Sequence, residues 1–369
     1  MTEWKSYKLS EVCSRLRSGK AIPASNVSHS GRYAVVGGNG VRGYTEKSNF
    51  HGQCVVVGRQ GAYCGNVRFF DGEFYMTEHA VVIVGNEYVD THYLAYLLST
   101  MELGHLSAQS AQPGLSIQTL SKLEIYLPPL SQQQRIVNLL GALDHKIEIN
   151  RRINDNLEQQ AQAAFNNIIV QYSECETINL SEIAVMNPKR AIAKGTLARS
   201  IEMAQLPTSG SFPAGWDMKE YNGGMKFQNG DTLMARITPC LENGKVAYIN
   251  FLEENEVAFG STEYIVIASK GAIAPEVFYF LTRHNDFVDF AVKNMNGSSG
   301  RQRVSAETIG TYKLPIISPE DMVILETIAR EALNKIKYNS LENIRLSEIR
   351  DTLLPKLMSG ELEINEIDC

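Results

Sequence analysis

The chain has 369 residues, enough for two domains of ordinary size, and its 44% hydrophobic and 21% charged residues are typical of a globular protein. No stretch approaches the roughly 20 consecutive apolar residues of a membrane-spanning helix, and MTEWKSYKLSEV at the start lacks a secretory signal core, so a cytoplasmic location is expected. The net charge of −6 counts mildly against a nucleic-acid-binding role, although affinity depends on the face presented and a partner could supply much of the phosphate contact.

The cysteines and histidines predict neither a disulfide framework nor a metal centre. The cysteines at 13, 54, 64, 175, 240 and 369 include no CxxC pair and are expected to be reduced thiols. A zinc site built from His51, Cys54, Cys64 and His79 is disfavoured because the spacing fits no common ligand pattern.

Residues 1–127 predict a β-rich domain with one helix. RYAVVGG at 32–38, VVVG at 55–58 and VVIVG at 81–85 are β-prone segments separated by turn residues. THYLAYLLSTME at 91–102 has the apolar spacing of a helix.

Residues 131–169 predict a long helix, because they contain no proline and only one glycine, Gly141. SQQQ at 131–134 is a candidate capping box with Ser131 as the N-cap. A second long helix is expected to begin with Ser318 as the N-cap and Pro319 at the first helical position. Each helix would run for about 36–40 residues, roughly 55–60 Å.

Residues 176–314 repeat the plan of the first domain. TLMARI at 232–237, KVAYINF at 245–251 and EYIVIA at 263–268 predict strands, and 275–292 predict a helix.

Four phrases occur twice in the same order, 171 to 189 residues apart. They are LSEV at 9–12 and LSEI at 180–183, TEHAVVI at 77–83 and TEYIVI at 262–267, LPPLS at 127–131 and LPIIS at 314–318, and KIEIN at 146–150 and KIKYN at 335–339. Two diverged tandem copies indicate two similar bodies, suited to a target with two halves.

Apolar residues recur every seven positions along both predicted helices, which is the pattern of a coiled coil. The repeating positions are Ile136, Leu143, Asn150, Leu157 and Ala164 in the first helix and Leu325, Ala332, Asn339, Leu346 and Leu353 in the second. If the helices run antiparallel about a pseudo-two-fold axis, Asn150 and Asn339 are expected to meet and fix the register. Two unrelated, solvated asparagines are the alternative.

No sequence motif predicts catalysis. GGNG at 37–40 lacks the helix and acidic residue of a dinucleotide site, and no GxxxxGK[ST] loop is present. NPKR at 187–190 lacks the second proline and the aromatic residue of an amino-methyltransferase motif.

Glycine-rich loops carry side chains that suit nucleic acid, because arginine and glutamine can read base edges while hydroxyl and amide groups hold phosphates. The predicted loops are GNGVRGYTEK at 38–47 and GRQGAYCGN at 58–66 in the first copy, and ARITPCLENGK at 235–245 and NGSSGRQRVS at 296–305 in the second. Their candidate DNA-binding residues are Arg42, Arg59, Gln60 and Tyr63 in the first copy, and Arg236, Thr238, Lys245, Ser298, Ser299, Arg301, Gln302 and Arg303 in the second. For each loop, ordinary solvation is the alternative, and Arg42 and Arg236 could instead pair with a nearby glutamate.

The chain resembles the specificity subunits of type I restriction–modification systems along nearly its whole length. The resemblance rests on LPPLSQQQRIVNLLGALDHKIEIN at 127–150, RDTLLPKLMSGELEI at 350–364, GDTLMARITP at 230–239, GSTEYIV at 260–266 and GRQRVS at 300–305. One departure is LPIISPEDM at 314–322, where the family has an LPPL-x-EQ opening of the second helix.

The resemblance implies an α+β fold in which two pseudo-repeated α/β target-recognition domains are separated by two long antiparallel helices that form a coiled-coil spacer. The recognition domains would be 1–128 and 173–315, with a first spacer helix over 129–172 and a second helix and tail over 316–369.

The function implied is recognition of a bipartite site in double-stranded DNA by a non-catalytic subunit. Half-sites near one helical turn apart, about 34–36 Å, are expected. The implied partners are two modification subunits, which use S-adenosylmethionine to methylate adenine N6, and restriction subunits, which use ATP and Mg²⁺. The alternative is a two-headed coiled-coil scaffold that is not directed at DNA, and a solitary enzyme would require S-adenosylmethionine binding by this chain.

Overall fold

The computed structural model describes residues 4–107, 114–298 and 300–364. The fold is mixed α and β, as the sequence predicted, and the chain divides into two compact units. Unit 1 comprises Met1–His145 and Leu346–Cys369, and unit 2 comprises Lys146–Arg345. Across these described residues, no helix combines the length and apolarity needed to cross a membrane.

In the first half of the chain, most of the strands precede the α-helices. The strands are β1 (Lys5–Lys8), β2 (Cys13–Ser18), β3 (Tyr33–Gly37), β4 (Gly40–Thr45), β5 (Phe50–Gly58), β6 (Val67–Met76), β7 (Ala80–Gly85) and β8 (Glu124–Leu127). The helices are α1 (Thr91–Ser99), α2 (Ile117–Ser121) and the long α3 (Leu130–Gln171).

The second half contains shorter strands and ends in a second long helix. The strands are β9 (Thr177–Asn179), β10 (Ala184–Met186), β11 (Leu197–Ile201), β12 (Asp217–Glu220), β13 (Met225–Phe227), β14 (Thr232–Ala235), β15 (Val246–Tyr248), β16 (Ala258–Gly260), β17 (Tyr264–Ser269) and β18 (Lys313–Pro315). The helices are α4 (Leu180–Ile183), α5 (Glu276–Thr282), α6 (Asn285–Lys293), α7 (Ala306–Gly310) and α8 (Pro319–Ser359).

Unit 1 is organised around a six-stranded sheet with the order β2-β7-β5-β6-β3-β4. Because alternate residues of a strand face opposite sides of the sheet, Val55 and Val57 enter the core that contains α1, whereas Val56 packs with Phe50 and Met76 on the other face. Burial on both faces explains why β5 and β7 contain continuous apolar runs rather than an alternating pattern.

Unit 2 repeats part of this sheet. Its four strands β10-β17-β14-β15 occupy the places of β2-β7-β5-β6, and a second four-stranded sheet has the order β12-β11-β16-β13. The single helix predicted over 275–292 is wrong, because α5 and α6 are separated at Arg283 and His284. The backbone of His284 is extended, and its ring accepts a hydrogen bond from the amide of Asp286. His284 is therefore the N-cap of α6.

The two long helices begin differently from one another. In α3 the amides of Gln132 and Gln133 donate to the carbonyl of Pro129, at 2.9 and 3.1 Å, so the helix starts before Ser131 and the predicted cap at Ser131 is wrong. The predicted cap of α8 is confirmed, because the Ser318 hydroxyl accepts from the amide of Asp321 at 3.2 Å.

Within unit 2, α3 and α8 run antiparallel. The Tyr172 hydroxyl, just beyond α3, donates to Asp321 at 2.7 Å, near the start of α8. Asn154 pairs with Asn339 at 2.8 Å, further along α8. The end of α3 therefore lies beside the start of α8, and earlier residues of α3 lie beside later residues of α8, as an antiparallel coiled coil requires.

The central asparagines are buried, with Asn150 1% and Asn339 3% exposed, which excludes the solvated alternative. Their partners differ from the prediction. Asn150 Nδ2 donates to Asn343 Oδ1 at 2.9 Å and to Glu342, and Asn339 Nδ2 donates to Asn154 Oδ1 at 2.8 Å. Because side chains four residues apart share a helix face, the asparagines form two equivalent pairs rather than one direct Asn150–Asn339 pair. Their role in fixing the register remains a prediction.

Candidate nucleic-acid interface

The two units place an arginine in the same main-chain setting. In unit 1, Arg59 follows β5; its amide donates to the His79 carbonyl at 3.1 Å, and its carbonyl accepts from the amide of Leu115 at 2.9 Å. In unit 2, Arg236 follows β14; its amide donates to the Glu263 carbonyl at 3.0 Å, and its carbonyl accepts from the amide of Val304 at 3.0 Å.

The equivalence continues into the helix that follows each of these arginines. Ser116 caps α2 by accepting from the amide of Thr119 at 2.9 Å, and Ser305 caps α7 by accepting from the amide of Thr308 at 3.0 Å. We call each such setting an arginine frame. It is an arginine at the end of a strand whose main-chain amide donates a hydrogen bond and whose main-chain carbonyl accepts one. Arg59 and Arg236 are therefore structurally equivalent, although the repeated phrases in the sequence did not pair them.

The candidate residues of unit 1 are open to solvent to different degrees. Arg59 is half-buried, Gln60 is exposed and Tyr63 is 54% exposed. Arg42 is also exposed, but it lies on the edge strand β4 and not in the loop predicted for 38–47, because residues 40–45 pair with β3. The guanidinium groups of Arg42 and Arg59 have no hydrogen bond or ion pair within the described ranges.

Close packing of glycines brings the β3–β4 turn against the Arg59 frame. A Cβ at Gly38 would lie 2.9 Å from the His79 carbonyl oxygen and 3.0 Å from Gly58 Cα, so a larger residue would push the turn away. A Cβ at Gly40, where φ is +103°, would lie 3.6 Å from the Arg68 guanidinium carbon. Positive φ and close approach both favour glycine here.

Arg68 is a candidate that the sequence analysis missed. It is exposed on β6 and lines a cavity of about 620 Å³ together with Asn39, Tyr63, Asn66 and His105. These side chains supply the donors that bind phosphate oxygens and base edges. The available signal was the position of Arg68 soon after the GRQGAYCGN loop, but its approach to Gly40 depends on the parallel pairing of β3 with β6.

In unit 2, Arg303 is occupied by an ion pair. Its Nε lies 3.0 and 2.9 Å from the two carboxylate oxygens of Glu263, and its Nη2 lies 2.7 Å from Oε1. The hydrogen bonds from Arg303 hold the pKa of the Glu263 carboxyl below its ordinary value. Glu263, which the sequence analysis had not selected, occupies the same place before β17 as His79 occupies before β7.

Two further candidates of unit 2 hold main-chain groups. Lys245 Nζ donates to the Met203 carbonyl at 2.6 Å. The Thr238 amide donates to the Gln302 carbonyl at 3.1 Å, and the Thr238 hydroxyl accepts from the Gln302 amide at 3.2 Å. These contacts position the loops, so a structural role accounts for Lys245 and Thr238 without a ligand.

Ser298 and Arg301 lie at the exposed tip of their loop, where the Arg301 amide donates to the Ser298 carbonyl at 3.0 Å. The Arg301 side chain has no hydrogen bond or ion pair to any described residue. Ser299, also a candidate, lies outside the described residues.

The residues considered for zinc do not gather into a metal site. Among the residues that the structure describes, no group of three or more His, Cys, Asp or Glu side chains could hold a metal ion. His51 instead lies 3.5 Å from Glu73, and burial raises the pKa of the Cys54 thiol to about 12.

Comparisons with known proteins identify relatives of the chain. Residues 1–159 match a family model described as the type I restriction modification DNA specificity domain. The chain is 36% identical over 146 residues to the type I restriction enzyme EcoprrI specificity subunit of Escherichia coli, a match that covers 38% of this chain and 36% of the relative. It is 24% identical over 328 residues to the HindI specificity subunit of Haemophilus influenzae, covering 68% and 71% of the two chains.

One solved structure shares the fold over almost the whole chain. The crystal structure of the type I restriction–modification S subunit from M. genitalium superposes with a TM-score of 0.65 at 19% identity, covering 99% of this chain and 97% of that one. The match to the EcoprrI subunit, by contrast, spans about a third of that relative's length.

Proposed function

We propose that the chain is a specificity subunit of a type I restriction–modification system, as its matches to that family indicate, and that it selects a bipartite site in double-stranded DNA. One observation carries the proposal beyond the family match: each unit contains an arginine frame, with Arg59 in unit 1 and Arg236 in unit 2. A repeated frame with an arginine at its centre suits a target whose two halves are read in related ways.

The proposal extends to partners and cofactors. We propose that two modification subunits and the restriction subunits assemble on this chain. Methylation would use S-adenosylmethionine in the modification subunits, and cleavage would use ATP and Mg²⁺ in the restriction subunits. This chain would contribute recognition and no catalytic group, and phosphate contacts by its partners would compensate for its net charge of −6.

Exposed apolar side chains on the long helices support assembly with protein partners. They lie outside the buried seam of the coiled coil and are Leu139, Ile149 and Ile153 on α3 and Tyr338 and Ile349 on α8. Within unit 2, Ile149 and Ile153 are four residues apart on α3 and therefore share one face of the helix, where such an exposed apolar pair suits contact with another protein.

Methylome sequencing of the host, with and without the gene for this chain, tests the proposal. We expect N6-methyladenine to disappear at one split motif in the deletion strain, and complementation to restore it. If methylation is unchanged and the purified chain brings down no methyltransferase, the two-headed scaffold is favoured instead. Binding of S-adenosylmethionine by the isolated chain would support the solitary-enzyme alternative.

A further inference from the structure

The loop that carries Arg301 is closed at its base. Asn296 and Arg303 exchange two main-chain hydrogen bonds, both 2.9 Å, and Thr238 holds Gln302 from the neighbouring segment. The closed base leaves Ser298 and Arg301 at the tip. Beyond this hydrogen-bonded base, the Arg301 guanidinium has no hydrogen bond or ion pair to any residue that the structure describes.

Arg303 turns back from this loop and binds the protein. Besides its three contacts of 2.7–3.0 Å with Glu263, its Nη1 donates to the carbonyl of Arg301 at 3.0 Å. The same side chain thus links Glu263 to the main chain of the residue at the tip.

Glu263 is itself held in place. Its amide donates to the Ser261 hydroxyl at 3.1 Å, its carbonyl accepts from the amide of Arg236, and β17 begins at the next residue. The carboxylate that binds Arg303 therefore belongs to the Arg236 frame, so the frame and the loop share one ion pair.

We propose that Glu263 and Arg303 are positioning residues that hold Arg301 toward one half of the DNA site, and that Arg301 makes the contact. The inference rests on the proposed function. Reading guanine or gripping a phosphate requires a free guanidinium fork, and the fork of Arg303 is occupied by Glu263. Removing Arg303 would also leave the Glu263 carboxylate unneutralised beside a polyanion.

The test compares substitutions in the full-length chain, purified with its methyltransferase partner. The probes are a duplex with the motif methylated in the wild-type host and two duplexes with one half of that motif scrambled. We expect Arg301→Ala to weaken binding to the intact motif roughly 5- to 150-fold. Arg301→Ala should reduce discrimination in one half of the motif only, while the loss of affinity on scrambling the other half stays at the wild-type value.

An exchange of the two charges separates positioning from contact. Arg303→Ala and Glu263→Gln should each relax discrimination in the same half as Arg301→Ala. The double variant Glu263→Arg with Arg303→Glu restores the ion pair but not the hydrogen bond to the Arg301 carbonyl, so it should recover part of the binding that Arg303→Ala loses. Thermal unfolding of every variant checks the fold, and Arg303→Lys, which keeps the charge but loses the fork, replaces Arg303→Ala if that variant does not fold.

The opposite pattern would overturn the inference. If Arg303 contacts DNA, Glu263→Gln frees it and binding is unchanged or tighter, while the exchanged pair binds as weakly as Arg303→Ala. Wild-type complex that shows no preference for the motif would remove the proposed function itself, a result distinct from either pattern among the variants.

Discussion

Two tyrosines one turn apart on α1 differ in whether their hydroxyl groups have partners. The Tyr96 hydroxyl donates to Asp144 at 2.6 Å, and Asp144 also receives Arg350 at 2.8 Å. The Tyr93 hydroxyl is buried without a hydrogen-bond partner among the described residues. Both rings fill the same core of unit 1, so replacement by phenylalanine isolates the contribution of each hydroxyl.

We expect Tyr96→Phe to lower the free energy of unfolding of unit 1 by roughly 1–2 kcal/mol, because it removes a hydrogen bond to a charged group. Tyr93→Phe removes a buried polar atom that gains nothing, so its effect should be neutral or stabilising. Urea unfolding followed by the fluorescence of Trp4, in a Trp216→Phe background, compares the two variants. Equal destabilisation by both would contradict this account.

At the scale of secondary-structure elements, Gln133 attaches the start of α3 to the segment before α1. Its side-chain oxygen accepts from the amide of Asp90 at 2.9 Å, and its nitrogen donates to the carbonyls of Tyr88 and Pro128 at 3.0 and 2.9 Å. The Gln133 side chain thus holds together main-chain segments of unit 1. The second copy has LPIISPEDM in the corresponding segment, so its helix start is held by other contacts, such as the Ser318 cap.

Replacing Gln133 with methionine, which keeps the side-chain length, should destabilise unit 1 by roughly 1–3 kcal/mol, because three main-chain groups lose their partner. Gln134→Met is the matched control: the Gln134 side chain is exposed and donates a hydrogen bond to the side chain of Asn138, at 3.1 Å, so a change within about 0.5 kcal/mol is expected. Denaturant unfolding of both variants measures the two changes in the free energy of unfolding. If Gln133→Met is as stable as its control, the three hydrogen bonds do not stabilise the helix start.

The asparagine pairs make a second prediction at this scale. Asn150→Leu alone should destabilise unit 2 by roughly 1–3 kcal/mol, because it leaves the half-buried amide oxygen of Asn343 without its donor. Adding Asn343→Leu removes both partners and should recover most of that loss. A double-mutant cycle measured by thermal unfolding gives the coupling between the two sites. Additive losses would show that the pair is not a unit.

Local patterns predicted the elements better than the contacts between them. The seven-residue spacing predicted the seam because it depends on residues within a few turns, and Ile136, Ile147 and Leu325 are indeed buried. The ion pair of Glu263 with Arg303 joins residues 40 positions apart, and no local rule could choose it over a DNA contact. Ser131 was predicted as the cap from the SQQQ pattern, whereas the helix begins at Leu130 and its first hydrogen bonds go to the Pro129 carbonyl.

At the scale of the whole molecule, the net charge was a poor guide to the local charge of the candidate interface, whereas the repeat was a good guide to the presence of two related units. A sum of −6 over 369 residues says little about the charge near the β3–β4 turn, where a Cβ at Gly37 would lie 3.6 Å from Arg42 Cδ and a Cβ at Gly40 would lie 3.6 Å from the Arg68 guanidinium carbon. The repeat indicated two related bodies, but the equivalence of Arg59 with Arg236 required the pairing of β5 with β7 and of β14 with β17. The fold class was thus predictable from sequence, whereas the choice among the candidate binding residues depends on non-local geometry.

The arginine frames predict that each half of the DNA motif depends on a different unit. In the host methylome, Arg59→Ala should relax or abolish recognition of one half of the motif, and Arg236→Ala should affect the other half. Loss of a base contact costs roughly 1–3 kcal/mol, enough to change which sites are methylated. Arg151→Ala removes an exposed arginine of α3 outside both frames and should leave the motif unchanged. If both frame variants relax the same half, the two frames are not functional equivalents. If methylation falls evenly at all sites with the motif intact, the arginines contact phosphates, and the bases are read by other residues of each unit.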